Sequence, residues 1–488
     1  MRGSIQLSRR FAVVLAVLFL LPALLAPGSI LAMQADPVVD RARELVEVIN
    51  DGSTAAIEQF IDASMAAEMR DAFPMEEHVN ALSGMHERGA PYEIAEIETP
   101  DGLRAEVLLH SPESEAWTTL VVRVEEEAPH RVGGVGMRPA TAPPPPPAGD
   151  TYTDDEIRAA MESTLADLAA DERFSGAVML ARGDEIVFEA AHGEANKDFS
   201  VPNRIDTRFN LGSMNKMFTA VAIAQLVERG EMSFDDPLAT FLPEFPDPES
   251  AEKIQIKHLL THTSGLGSYF NEEFENASPA RFRTVRDLMT LVEDDTLQFE
   301  PGTDRRYSNT GYLVLGRVIE VATGDDYYDY IQTHLTDPAG MESTASYQLD
   351  RVNPDLAVGY YRPDGPGTPW RNNLFLHVVR GGPAGGGYST VGDLVRFAEA
   401  LRNDTLISAE TFETLASPKP EVGSPAYGYG FRIYPDGRVG HSGGFPGISS
   451  HLSFWPDGEW TIAVMSNYSG GAQPVVEQAR RLIPAGSE

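Results

Sequence analysis

The chain has 488 residues, of which 42% are hydrophobic and 23% charged, a composition typical of a globular protein. Its formal net charge at pH 7 is −35, and because acidic proteins repel phosphate backbones, nucleic acid is not expected as a partner. It contains no cysteine, which excludes disulfides, thiolate nucleophiles and cysteine-ligated zinc. A prior of roughly 150 residues per domain predicts two or three domains.

Residues 1–35 are predicted to form a signal peptide. Arginines give a basic start, an apolar run of about 15 residues follows, and candidate cleavage sites lie after Ala32 and Ala35. The run is shorter than the roughly 20 residues that span a bilayer, so export is favoured over the alternative, a retained membrane anchor. We therefore expect a periplasmic or secreted protein with no stable membrane span after removal of the leader.

Residues 36–138 are predicted to form a small α+β domain. Amphipathic helical patterns cover 38–49 and 56–69. Alternating, strand-like runs follow at 92–98, 103–110, 117–125 and 131–137. Helices followed by a meander resemble, at the level of pattern only, the nuclear-transport-factor-2-like (NTF2-like) fold. The next segment, 139–150, contains an unbroken proline run at 143–147 and is predicted to be a semi-rigid linker.

Residues 151–488 are predicted to form the large domain. Thr153 and Glu156 match a capping box for a helix that extends to about Ala170. A hairpin is expected at 176–181 and 185–191, around Gly183-Asp184. The C-terminal part has strand-like runs at 427–434, 438–440, 449–455 and 460–466, then a helical pattern at 474–482. Strands at both ends of a helical middle predict an α+β fold with one antiparallel sheet, built from both termini and covered by helices.

Two Ser-x-x-Lys patterns offer a serine nucleophile with a lysine base. Residues i and i+3 of a helix share a face, so the amine can lie near the hydroxyl and accept its proton if it is desolvated. Ser213 and Lys216 begin an apolar helical run at 217–227, which places the serine at a helix N-terminus. Ser250 and Lys253 lie in a polar, proline-interrupted stretch, where the lysine is expected to stay solvated and protonated.

Two further groups contain side chains that suit acyl transfer. The phenol of Tyr307 can relay a proton to a leaving group, and Asn309 can present an amide to a substrate. Tyr269 and Asn271 match the same short pattern, but acidic residues follow them and a surface loop is expected there. The sequence His-Ser-Gly-Gly at 441–444 follows a strand, so its glycines let a substrate pair with backbone amides; read alone, it is equally a glycine-rich hairpin end.

The order Ser-x-x-Lys, Tyr-x-Asn, His-x-Gly resembles that of the penicillin-recognising serine hydrolases. The chain is most similar to the branch that holds class C β-lactamases, D-alanyl-D-alanine carboxypeptidases and related esterases. Segments 256–266, 301–303 and 382–390 also resemble family signatures, and the likeness covers roughly 151–485. It implies a β-lactamase/transpeptidase-like fold and an acyl-enzyme mechanism that requires no metal or cofactor.

The resemblance also implies a role for each motif residue. Ser213 is the nucleophile, Lys216 assisted by Tyr307 is the base, and Tyr307 passes a proton to the leaving group. The amides of Ser213 and Gly444 form the oxyanion hole. The residues implied to bind substrate are Asn309, His441 and Gly443.

One departure from the family bears on the substrate. β-Lactamases usually carry Lys-Thr-Gly where this chain has His441-Ser442-Gly443, and a neutral histidine offers a carboxylate only a hydrogen bond. This lowers the expectation of efficient β-lactam hydrolysis and leaves an ester, a D-amino-acid peptide or a β-lactam open as substrate. The alternative function is a non-catalytic binding or assembly protein on the same fold.

His258 and His262 have the spacing of a zinc pair, but no glutamate stands between them as in His-Glu-x-x-His, and the resemblance makes them structural. The oligomeric state is not predicted.

Overall fold

The computed structural model describes residues 37–99, 102–111, 117–140, 152–292, 296–363 and 367–483. The predicted signal peptide and the proline run of the predicted linker lie outside the described residues. Among the residues that are described, no helix has both the length and the apolar character needed to cross a bilayer.

Four helices and an antiparallel meander come first along the chain. They are α1 (Pro37–Asp51), α2 (Thr54–Ser64), α3 (Ala67–Arg70), α4 (Met75–Glu87), β1 (Glu93–Glu98), β2 (Arg104–His110), β3 (Trp117–Val124) and β4 (Val132–Ala140). The strands pair in the order β1-β2-β3-β4, and the buried face of α1 shares a hydrophobic core with alternate residues of β2 and β3. The helix predicted over 56–69 is divided, because the chain extends at Met65 to bridge to Val132. The four predicted strands are confirmed, and the NTF2-like fold stays a prediction.

The remaining helices and strands all follow residue 152. The helices are α5 (Asp154–Ala170), α6 (Asn215–Glu228), α7 (Pro248–Lys253), α8 (Ile256–Leu260), α9 (Glu272–Asn276), α10 (Val285–Met289), α11 (Asn309–Thr323), α12 (Tyr327–Ile331), α13 (Val391–Arg402), α14 (Ala409–Leu415) and α15 (Ala472–Leu482). The strands are β5 (Gly176–Arg182), β6 (Glu185–His192), β7 (Glu194–Asn196), β8 (Val201–Pro202), β9 (Phe209–Asn210), β10 (Tyr360–Tyr361), β11 (Arg371–Asn372), β12 (Tyr388–Ser389), β13 (Arg432–Ile433), β14 (Val439–Phe445), β15 (Ile448–Phe454) and β16 (Trp460–Ser466).

One antiparallel sheet joins the two ends of this region, as predicted. Its strand order is β13-β14-β15-β16-β5-β6, so the last strand of the chain pairs with β5. Alternate residues of β5 face opposite sides: Val178 and Leu180 pack with α5 and α15, whereas Ala177 and Met179 join the core that contains α6 and α13. The sheet is therefore covered by helices on both faces, and its central strands β15 and β16 are buried throughout. The capping box at the start of α5 is also confirmed.

The central helix α6 is buried along most of its length. Every residue from 215 to 226 is buried, because this helix is apolar on all sides and lies inside the large core. A single 3₁₀ turn, Gly212–Met214, leads into it, so the residue at 213 stands at the entrance of a rigid, fully packed helix.

Two strand predictions need correction. The strand expected over 427–434 is reduced to β13, because Gly430 has φ +81° and interrupts extended backbone. The strand expected to end at Gly440 continues as β14 to Phe445, so His441 to Gly444 lie within the strand rather than after it.

Candidate active site

Ser213 lies in the 3₁₀ turn before α6, beneath the glycines of β14. Gly212 has φ +51°, a conformation that favours glycine, and a Cβ atom there would lie 2.9 Å from Gly443 Cα. A Cβ atom at Gly443 would overlap Leu211 O and lie 2.9 Å from the Ser213 amide nitrogen. The two glycines therefore allow the turn and the strand to approach each other closely, and Ser213 itself stays partly exposed.

The side chain of Lys216 is fully buried and its nitrogen lies within reach of Ser213. Lys216 Nζ is 3.2 Å from Ser213 Oγ, 2.9 Å from Asn309 Oδ1 and 2.6 Å from Ala384 O. Both oxygens act as acceptors, since Ala384 O is a carbonyl and Asn309 Nδ2 donates to Ser268 Oγ at 3.3 Å. A neutral amine that gives one N–H to each of these oxygens turns its lone pair toward the serine hydroxyl. The arrangement thus suits proton transfer from Ser213 to Lys216.

The second Ser-x-x-Lys pattern has a different environment. Lys253 lies on the surface, 2.9 Å from Glu249 and 3.6 Å from Glu300, and these carboxylates raise the pKa of its ammonium. Ser250 donates instead to Asp247, the N-cap residue of α7. As the sequence indicated, Lys253 is solvated and charged, so Ser250 and Lys253 do not form a nucleophile with a desolvated base.

Tyr307 and Asn309 come from the segment that enters α11. The Tyr307 ring centroid lies 4.7 Å from Lys216 Nζ, which brings the phenol-bearing ring to the same cleft. Asn309 is held from two sides, by Lys216 and by Ser268, so its amide orients the lysine as well as facing the cleft. The look-alike residue Asn271 caps α9, and its neighbour Tyr269 is buried rather than part of a surface loop.

His441 occupies a different position from the one expected of a substrate ligand. Its side chain is 2% exposed, with Nδ1 2.5 Å from Ser442 O and Nε2 3.0 Å from the Tyr427 hydroxyl. Because a carbonyl oxygen only accepts, Nδ1 carries the proton and Nε2 accepts from Tyr427. Burial, with Arg432 and Lys216 nearby, holds the pKa of His441 well below its usual range. Both ring nitrogens are thus engaged within the protein, and the neutral ring supports β14 from behind.

The outer edge of β14 borders the cleft. β13 pairs only with Val439 and Gly440, so among the described residues no strand covers that edge from His441 to Phe445. Gly444 is exposed, and the 3₁₀ turn with Ser213 packs against the same strand. Two backbone amides, those of Ser213 and Gly444, therefore lie on neighbouring elements where an oxyanion can be bound.

The glycine-rich segment 381–387 forms a wall of the site. Ala384 O contacts Lys216, and the Gly387 N–H donates to Asn215 Oδ1 at 2.9 Å. Gly386 N–H donates to Gly212 O at 3.2 Å, which attaches the wall directly to the nucleophile turn. No sequence pattern points to Ala384, because the group that acts there is a backbone carbonyl.

His258 and His262 do not share a helix face. α8 ends at Leu260, and His262 follows it with φ +62°. The Nδ1 atoms accept backbone N–H groups, from Gln255 at 3.2 Å for His258 and from Ser308 at 3.1 Å for His262. In the part of the chain that the structure describes, no cluster of three or more potential metal ligands is found. Sequence reasoning treated His262 as structural and missed that it contacts the Tyr307 ring.

The fold and this site define a serine hydrolase, with a hydroxyl beside a buried amine at the entrance of the central helix. The family model described as Beta-lactamase matches residues 154–486. A penicillin-binding protein of Bacillus subtilis (strain 168) is 32% identical over 327 residues, covering 63% of this chain and 71% of that protein. The chain therefore belongs to the beta-lactamase family.

Two further comparisons agree with that assignment. The crystal structure of a penicillin binding protein from Bacillus halodurans is 31% identical, with a TM-score of 0.61, and the match covers 66% of this chain and 99% of that one. Esterase EstB of Burkholderia gladioli is 29% identical over 315 residues, 56% of this chain and 79% of that protein. The relatives thus include both penicillin-binding proteins and an esterase.

Proposed function

We propose that this chain is an exported serine hydrolase that cleaves the ester or amide carbonyl of a small substrate through an acyl-enzyme on Ser213. The observation that carries the proposal is the set of three contacts at Lys216 Nζ. Two obligatory acceptors, Ala384 O and Asn309 Oδ1, take its N–H groups, and Ser213 Oγ is the third neighbour at 3.2 Å. This geometry orients a base toward a nucleophile.

Acylation begins with transfer of the Ser213 proton to the lone pair of Lys216. Ser213 Oγ then attacks the carbonyl carbon, and negative charge develops on the carbonyl oxygen. The N–H groups of Ser213 and Gly444 bind this oxyanion, on two elements that approach closely where Gly212 packs against Gly443. Preorganised donors of this kind stabilise the transition state without reorganising during the reaction.

Collapse of the tetrahedral intermediate requires a proton on the leaving group. Tyr307, whose ring lies beside Lys216 Nζ, passes that proton from the lysine to the departing oxygen or nitrogen. The acyl group stays on Ser213 as an ester, and attack by water releases the acid and restores the serine hydroxyl. Asn309 and Gly443 border the space that the substrate occupies in this scheme.

The surroundings of His441 favour esters and uncharged amides over β-lactams. A β-lactam carries a carboxylate beside its reactive ring, and the residue in the position of the family's lysine is here a buried, neutral imidazole bonded to Tyr427. This position therefore supplies no cation to the substrate.

We further propose that residues 1–35 direct export to the periplasm or the medium, and that 36–138 and 151–488 are separate domains joined by the linker 139–150. The apolar leader and the proline run support this division. Three hydrophobic cores, one formed before residue 138 and two after residue 154, are consistent with it.

A hydrolysis panel tests the function. Wild-type protein and Ser213→Ala are assayed with p-nitrophenyl acetate, D-alanyl-D-alanine peptides and nitrocefin, with Ser250→Ala as the matched control from the other Ser-x-x-Lys pair. The proposal predicts turnover of at least one substrate by the wild type and by Ser250→Ala, and none above background by Ser213→Ala. Turnover that survives in Ser213→Ala contradicts the assignment. A wild type that binds these compounds without turning them over supports a binding protein instead.

A further inference from the structure

We propose that His262 is a positioning residue that holds the Tyr307 ring in place beside the Lys216–Ser213 pair. The inference rests on the proposed function, since it assigns His262 a role in the same reaction through Tyr307. His262 itself is fully buried and acts through its contacts with other protein groups.

Two contacts join His262 to the Tyr-Ser-Asn segment. The imidazole and the Tyr307 ring have centroids 4.2 Å apart with an interplanar angle of 33°, so one face of the phenol ring lies against the imidazole. Nδ1 accepts the N–H of Ser308, the residue between Tyr307 and Asn309, at 3.1 Å. One side chain therefore fixes both the ring plane and the backbone of the segment that carries the phenol and the amide.

The imidazole is itself held in a single orientation. Its centroid lies 5.2 Å from the Tyr312 ring and 4.9 Å from the Tyr427 ring, so aromatic groups enclose it on further sides. Tyr312 donates to Leu260 O at 2.7 Å, and Tyr427 is bonded to His441. Among the described residues, Nε2 has no hydrogen-bond partner, so the ring contacts its neighbours through its faces and its Nδ1 atom.

The backbone of His262 has an uncommon conformation. Its φ of +62° lies in the left-handed region, which residues with a Cβ atom adopt uncommonly, although asparagine, aspartate and histidine adopt it more often than the others. Backbone strain of this kind persists where the surroundings over-determine a conformation, and it is concentrated at functional sites. A glycine or an asparagine suits the backbone better but removes the ring that supports Tyr307.

The charge state of His262 is fixed by its neighbours. The titratable and charged groups that face it are Lys216, Arg305, His441 and the phenols of Tyr307, Tyr312 and Tyr427. Burial, then the proximity of Arg305 and Lys216, holds the pKa of His262 well below its usual range. A neutral ring with Nδ1 accepting keeps the backbone N–H of Ser308 satisfied and adds no positive charge beside the lysine.

Two variants separate the contacts. His262→Asn suits the left-handed backbone and offers an oxygen to the Ser308 N–H, but it removes the ring face. His262→Phe keeps an aromatic face and removes the acceptor. We expect kcat/KM for p-nitrophenyl acetate to fall roughly tenfold to a hundredfold in His262→Asn, mainly through kcat, with a shifted pH profile of kcat/KM, because misplacement of a proton-transfer group by about 1 Å has effects of that size. His258→Gln changes a buried histidine four residues earlier and is the control. Its kcat/KM is expected to stay within about twofold of the wild-type value.

A double-mutant cycle with Tyr307→Phe distinguishes positioning from a general loss of structure. If His262 acts through Tyr307, His262→Asn lowers the rate of Ser213 labelling by a fluorophosphonate in the wild-type background but changes it less than twofold in the Tyr307→Phe background. Equal fold losses in the two backgrounds overturn the inference, as does a folded His262→Asn with wild-type kcat, KM and pH profile. If His262→Asn is unfolded by thermal melting, the same cycle with His262→Phe decides by the same criterion. A wild type that is not labelled at Ser213 rejects the proposed function and this inference with it, whereas the outcomes above overturn the inference alone.

Discussion

Lys216 Nζ lies 2.6 Å from the carbonyl oxygen of Ala384, closer than the 3.2 Å that separates it from Ser213 Oγ. The main chain of a glycine-rich segment thus helps to aim the proposed base, and it does so with a group that no side-chain substitution removes. Because this segment is also bonded to Gly212 and Asn215, the base, the nucleophile turn and the wall form one rigid unit.

Removal of the Lys216 amine tests the base directly. We expect Lys216→Ala to lower kcat/KM for an ester substrate about 10³-fold, since general-base catalysis contributes factors of this order. Lys253→Ala removes the lysine of the other Ser-x-x-Lys pattern, which lies on the surface between Glu249 and Glu300, and it is expected to leave kcat/KM unchanged. Steady-state kinetics of both variants check this, and comparable losses in the two would reject the assignment of the base.

Asn309 tests whether the lysine must be oriented. Asn309→Ala removes one of the two oxygens that take N–H groups from Lys216, so the lone pair is no longer directed at Ser213. We expect kcat to fall roughly tenfold to a hundredfold. Asn271→Ala is the matched control from the look-alike pattern: it removes the N-cap of α9, is expected to cost about 1 kcal/mol of stability, and should not change kcat. An Asn309→Ala enzyme with wild-type kcat would show that Ala384 alone suffices.

Gly443 and Gly444 of β14 predict different responses in folding stability. A Cβ atom at Gly443 would overlap Leu211 O and crowd the Ser213 amide, whereas the Cβ position of Gly444 has no atom within 4 Å. We expect Gly443→Ala to lower the free energy of unfolding by about 1–3 kcal/mol. Gly444→Ala should leave the melting temperature within a few degrees of wild type. Thermal unfolding of the pair measures this difference, and equal melting temperatures would mean that β14 and the nucleophile turn are less closely packed.

Acid should destabilise the fold through its buried histidines. Burial lowers the pKa of His258 to about 4, and it lowers the pKa values of His262, His441 and His451 as well. A histidine in the unfolded chain has a pKa of about 6.5. As the pH falls from about 6.5 to about 4, these histidines therefore become protonated in the unfolded chain but stay neutral in the folded protein.

The free energy of unfolding therefore decreases with falling pH across that window, by up to about 1.4 kcal/mol per pH unit for each such histidine. Denaturant unfolding at a series of pH values measures the slope. His258→Gln removes one of these groups and should reduce the slope by up to that amount, whereas an unchanged slope would mean that His258 is protonated in the folded state.

Substrate preference follows from the neutral imidazole at 441. We expect kcat/KM for nitrocefin to be at least about 100-fold below that for p-nitrophenyl acetate, because a missing charged partner for a carboxylate costs binding of about this size. Parallel assays of one preparation provide the comparison. Efficient nitrocefin hydrolysis would show that another cation, such as Arg305 or Arg306, binds the carboxylate in place of the family's lysine.

The sequence predicted the capping box and the proximity of Ser213 and Lys216 from local spacing, and the sheet joining the two ends of the large region from strand patterns. The proximity of Tyr307 to this pair was implied by the family resemblance. It could not predict the burial of His441, since that depends on Tyr427 packing behind β14. The contact between Lys216 and Ala384 O could not be predicted either, because every residue type has the same backbone carbonyl. The strand that continues past Gly440 was missed since glycine is usually read as a strand end.

Fluorophosphonate labelling followed by peptide mapping tests the central claim most directly. The reagent forms a covalent bond only with an activated serine, so wild-type protein should carry one adduct, on the peptide that contains Ser213, and Lys216→Ala should react far more slowly. An adduct on another serine, or labelling that is equally fast without the Lys216 amine, would contradict the account.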